Sequence, residues 1–121
     1  MQIRKNRSFL SRLRCALAGV VHGLRTEHSL RMQTLALLLA LLALTLLRPA
    51  ALWWALVMLA GSMVLAAEMF NTAIERLADH LHPDLHPQIR LVKDCAAGGV
   101  LISALGALAI AIALLVALLG R

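Results

Sequence analysis

The chain has 121 residues, 61% of them hydrophobic and 15% charged, with a formal net charge of +6. A soluble domain carries about a quarter charged residues, so this balance excludes a water-soluble globule, a disordered tail and a disulfide scaffold. What remains is one integral membrane domain over residues 1–121, whose six acids are Glu27, Glu68, Glu75, Asp79, Asp84 and Asp94.

The first element is a helix expected over about 7–26. Phe9, Leu10, Leu13, Leu17, Val20, Val21 and Leu24 recur at three- and four-residue steps, with Arg7, Arg12, Arg14 and Arg25 between them. Such a helix lies in the membrane interface, where anionic lipid attracts its basic side. A basic leader that only sets orientation is the alternative.

Three stretches then reach the roughly 20 apolar residues that cross a bilayer. They run over about 30–47, 50–79 and 95–119; the second is uncharged from Ala50 to Ala67, the third from Cys95 onward. Arg48-Pro49 makes the first connection very short, so the first two spans form an antiparallel hairpin. Ten of the twelve basic residues fall before span one or between spans two and three, leaving Arg48 and Arg121 opposite. The positive-inside rule places the N-terminus and the second loop in the cytoplasm. Cys15 and Cys95 fall near that side and read as small buried thiols.

All six acids lie in that same half. Glu68, Asn71, Glu75 and Asp79 continue span two at spacings that put them in a stripe about 80° wide at 100° per residue. A solvated face paired with Arg76 or Arg90 would explain a polar stripe. Glu68, however, follows eighteen uncharged residues and stands where water thins out, which makes it a candidate general base. Glu27 opens span one and Asp94, beside Lys93, opens span three. Antiparallel packing brings both to the level of Glu75, and carboxylates with a lysine suit a magnesium–nucleotide complex. No P-loop, G-x-G-x-x-G turn or protein-kinase signature is present.

Two other features carry rival readings. His80, His82 and His86, with Asp79 and Asp84, crowd the loop before Pro87 and could belong to a membrane metal-binding or transport component. Ala96, Ala97, Gly98, Gly99, Ser103 and Gly106 suit close helix packing. Three spans cannot enclose every acid, so a homo-oligomer with sites between protomers is expected.

Glu27-x-x-Leu30-Arg31, then Glu68-x-x-Asn71-Thr72-Ala73-Ile74-Glu75-x-x-x-Asp79, then Lys93-Asp94-x-Ala96-Ala97-Gly98-Gly99 resemble the motifs of the small bacterial membrane lipid kinases. These are the prokaryotic diacylglycerol kinases and their undecaprenol kinase relatives, and the resemblance covers about residues 9–115. It implies an all-α membrane fold of one amphipathic surface helix and three transmembrane helices, assembled as a homotrimer. It implies transfer of the γ-phosphoryl group of ATP, with magnesium, to the hydroxyl of diacylglycerol, giving phosphatidic acid, or to undecaprenol. Carried over position by position, Glu68 resembles the catalytic base on the lipid hydroxyl, and Glu27 and Glu75 the magnesium carboxylates. Asn71, Glu75, Asp84, His86, Lys93 and Asp94 resemble nucleotide-site residues, and Arg31 joins Glu68 on the lipid side. Asp79 matches a family acid of structural role. Ser8 and Ser11 stand where some members are basic, and Gln33 where some diacylglycerol kinases have Glu. Ala96-Ala97-Gly98 is similar to the undecaprenol type.

Overall fold

The computed structural model describes residues 8–121 and contains four helices: α1 (Phe9–Thr26), α2 (His28–Leu47), α3 (Ala51–Leu81) and α4 (Pro87–Leu119). Arg7, expected to open the surface helix, lies outside the described residues. The last three helices are long and apolar enough to cross a membrane. Few side chains are buried within the chain, and apolar residues such as Phe9, Leu38, Leu52 and Ile102 stand exposed. That is the distribution expected when lipid, not water, solvates the outer surface.

Ser8 caps α1, its Oγ accepting the Ser11 N–H at 3.3 Å. At the other end Glu27 alone is extended (φ −110°, ψ 114°) and separates α1 from α2. The Arg31 guanidinium reaches back over this corner and donates to the carbonyls of Leu24 and Arg25, each at 3.0 Å. These carbonyls have no partner inside the helix, so the arginine satisfies them. Gly23 permits the close crossing beneath: a Cβ there would lie 2.8 Å from Met69 Sδ and 2.9 Å from Leu30 Cδ2.

α2 ends on Arg48 in the left-handed region (φ 50°, ψ 55°), and Pro49 prevents the helix from continuing. Leu37 of α2 then packs over Gly61 of α3 so tightly that a Cβ at 61 would meet Leu37 Cδ2 at 2.9 Å. α3 is the central helix: α1, α2 and α4 all pack on it, whereas the Cα atoms of α2 and α4 stay more than 8 Å apart.

α3 is 31 residues long and α4 is 33. At 1.5 Å per residue these are about 46 and 50 Å, well beyond the roughly 30 Å hydrocarbon core. Both therefore project past the bilayer at the α1 end. α4 begins at Pro87, eight residues before the start expected from the uncharged run. The reason is local: His86 accepts the Gln88 N–H at 3.1 Å as N-cap, and Pro87 occupies the first turn, where its missing N–H costs nothing. Charged residues 90–94 are thus helical, outside the apolar span. Cys15 and Cys95 are exposed, contrary to the buried reading, because neither helix face is covered within one chain.

Candidate functional site

The polar residues gather where the N-terminus of α2 meets the last four turns of α3. Glu68 is the buried charged residue of the chain's described part, at 6% exposure. It stands 17 residues after Ala51, about 26 Å along α3, at the edge of the hydrocarbon layer. Ser29 of α2 donates its hydroxyl to Glu68 Oε2 at 3.1 Å. One oxygen of the carboxylate is thereby fixed and the other is left to act as an acceptor.

Two turns further along α3, Arg76 binds the α1–α2 corner through three partners. Its Nη2 donates to Thr26 Oγ1 at 2.7 Å and to Glu27 Oε1 at 3.0 Å, and its Nη1 meets His22 Nε2 at 2.6 Å. A guanidinium can only donate, so in this contact His22 Nε2 is the acceptor. Glu27 is thus engaged with Arg76 rather than standing open. Lys93 of α4 pairs with Asp79 of α3 and not with its neighbour Asp94. This pair ties α4 to α3 one turn beyond Glu75.

Asn71 lies between the Ser29 and Arg76 contacts. Its Oδ1 is buried and has no hydrogen-bond partner. An unpaired buried acceptor is costly, and a cation or an N–H donor would satisfy it. Glu75 is half-buried one turn further on the same face. Magnesium needs hard oxygen atoms and takes one or two carboxylates with substrate phosphates rather than a full protein cage. The carboxylate of Glu75, that of Glu27 and the unsatisfied oxygen of Asn71 fit such a donor set. Among the described residues no three of His, Cys, Asp or Glu converge as a metal site.

That last fact corrects the histidine-loop reading. His82 and His86 do meet, ring centroids 5.3 Å apart and edge to face. But His82 Nδ1 is turned to the Asp84 carbonyl at 3.1 Å and His86 Nδ1 to the Gln88 N–H. One ring nitrogen of each is thus used in shaping the loop. Asp84, His86 and Asp94 are exposed and are not brought against Glu68 or Asn71 by a contact within the chain. Arg31 uses its Nη1 on the carbonyls at the end of α1.

Ser29, Arg76, His22 and Thr26 belong to the site and were not singled out as such by the sequence. Their partners lie 39 to 54 residues away, beyond any local spacing. The one available signal was the position of Arg76 beside Glu75.

Residues 14–115 match the family model described as prokaryotic diacylglycerol kinase. A curated relative from Synechocystis sp., named diacylglycerol kinase, is 33% identical over 101 residues. The match takes in 83% of this chain but 58% of the relative, so the chain spans little more than half of that protein's length.

Proposed function

This chain belongs to the prokaryotic diacylglycerol kinase family, and from that premise we propose that it is a lipid kinase using ATP and magnesium to phosphorylate diacylglycerol. The observation that carries the reading is Glu68: a buried carboxylate, on a membrane-crossing helix, with one oxygen held by Ser29.

In this account the free oxygen of Glu68 accepts the proton of the lipid hydroxyl as the lipid's own oxygen bonds to the γ-phosphorus. The bond from the γ-phosphorus to the β–γ bridging oxygen breaks, and ADP leaves. Magnesium, when bound, would supply the positive charge that offsets the phosphates. Glu27, Glu75 and the Oδ1 of Asn71 would hold the metal–nucleotide complex, which requires Glu27 to exchange Arg76 for the ion. Lys93, with Asp94, Asp84 and His86, would face the nucleotide from α4 and the preceding loop. Little covalent chemistry is asked of the protein, because phosphoryl transfer depends on position and charge.

The basic residues before span one and between spans two and three favour a site on the cytoplasmic side of the inner membrane. A homotrimer would supply the cover that Asp84, His86 and Asp94 lack within one chain. Undecaprenol is the second acceptor, favoured by Ala96-Ala97-Gly98. Purified protein in mixed micelles, given labelled ATP and magnesium, should label diacylglycerol in preference to undecaprenol. Preferential labelling of undecaprenol would transfer the same chemistry to the polyprenol, and labelling of neither would end the kinase reading.

A further inference from the structure

The three contacts of Arg76 are of two kinds. Glu27 Oε1, 3.0 Å from Nη2, is anionic and belongs to a carboxylate assigned above to the metal. Thr26 Oγ1 at 2.7 Å is a hydroxyl and His22 Nε2 at 2.6 Å a ring nitrogen, and neither carries negative charge. An ion at Glu27 would therefore take away the ionic partner and leave two anchors on α1. The Arg76 and Glu27 side chains are 47% and 30% exposed. A pair so open to solvent is weakly held, so Glu27 can change partners without the arginine leaving the corner.

Charge and distance decide what the released guanidinium meets. The two charges of magnesium are matched by the carboxylates of Glu27 and Glu75, so the phosphates of a bound nucleotide still need fixed cations around them. Magnesium holds its oxygen ligands at about 2.1 Å. A phosphate oxygen sharing the ion with Glu27 Oε1 thus stands within about 4 Å of the atom that Arg76 now touches. The planar donors of an arginine suit phosphate and can turn across that distance. Two other cations nearby are not freed by the same event. Arg31 Nη1 is on the carbonyls of Leu24 and Arg25, and Lys93 pairs with Asp79, which holds no metal in this account.

We propose that Arg76 is a phosphate-binding residue of the nucleotide site, parked on Glu27 until the metal takes that carboxylate and then turned onto the phosphate oxygens. His22 and Thr26 keep the guanidinium in place through the exchange. The proposal rests on the lipid-kinase reading of this site and adds a residue to it. Arg76 consequently acts in two opposite directions. It competes with the metal for Glu27 when no nucleotide is present, and it strengthens nucleotide binding once the metal is there.

The test is equilibrium binding to the intact protein in detergent micelles, in wild type, Arg76→Gln and Arg76→Lys. The ligands are magnesium alone, and the β,γ-methylene analogue of ATP with saturating magnesium. Glutamine removes the charge but keeps an N–H donor for the α1 corner. Arg76→Gln should bind magnesium alone about two- to fivefold more tightly, the range that a partly exposed pair allows. It should bind the analogue at least tenfold more weakly. Arg76→Lys keeps the charge without the fork and should fall between wild type and Arg76→Gln for the analogue. A purely structural arginine predicts another pattern, because a loosened corner scatters Glu27 and weakens both ligands together. Magnesium affinity unchanged or weaker in Arg76→Gln, analogue affinity within threefold of wild type, or Arg76→Lys no better than Arg76→Gln would overturn the proposal. Wild-type protein that binds magnesium but not the analogue would instead end the nucleotide-site reading, and the role of Arg76 with it.

Discussion

The Ser29 hydroxyl donates to Glu68 Oε2 at 3.1 Å, joining the start of α2 to a carboxylate that is 6% exposed on α3. A buried carboxylate with a single hydrogen-bond donor is held in one orientation without being neutralised by an opposite charge. That is the state a base needs if it is to take a proton from a lipid hydroxyl. Ser29→Ala removes the donor and leaves Glu68 to rotate. We expect kcat to fall about tenfold, near the value of one hydrogen bond to a charged group, with little change in KM for ATP. A fall in nucleotide affinity of the same size would place Ser29 on the metal side.

Arg76 bonds His22, Thr26 and Glu27, and so fastens α1 to α3. The Arg76–Glu27 pair is partly exposed on both sides, where such pairs contribute at most about 1 kcal/mol. Arg76→Ala should therefore loosen the corner rather than unfold the chain. Hydrogen exchange of amides 22–27 should quicken about 5- to 30-fold while amides in the middle of α3 stay protected.

Leu37 packs directly over Gly61, in the space a Cβ would need. Gly61→Val should cost about 1–3 kcal/mol, the usual penalty of overpacking, measured as earlier unfolding in detergent. Leu37→Ala in the same chain should recover most of the loss, because the three atoms nearest a Cβ at 61 all belong to Leu37.

Lys93 and Asp79 form an ion pair between α3 and α4, while the nucleotide role proposed for Lys93 needs its charge. Asp79→Asn should leave KM for ATP within about threefold of wild type, as an exposed pair contributes little. Lys93→Ala should raise it at least tenfold. Equal effects would make the pair structural.

Composition and basic-residue placement were enough to define three membrane-length helices and a surface helix, because hydropathy over twenty residues is a bulk property. The acidic stripe on α3 was legible for the same reason of regular period. The start of α4 was not: residues 87–94 are too charged to read as a span, and their helicity depends on the His86 cap and Pro87. Nor was the engagement of Glu27 by Arg76 or of Glu68 by Ser29, since the partners meet only after α2 folds back on α3. Nor was the use of Arg31 Nη1 on the carbonyls of Leu24 and Arg25, which its motif does not signal.

The central claim is that Glu68 is the base for phosphoryl transfer to a lipid hydroxyl. It is tested most directly by measuring phosphate transfer from labelled ATP to diacylglycerol in wild type and Glu68→Gln, with nucleotide binding measured on the same preparations. The glutamine keeps an oxygen for Ser29 but cannot take the proton, so turnover should fall about 10²- to 10⁴-fold with ATP binding preserved. Turnover within a fewfold of wild type, or loss of ATP binding in step with activity, would contradict the account.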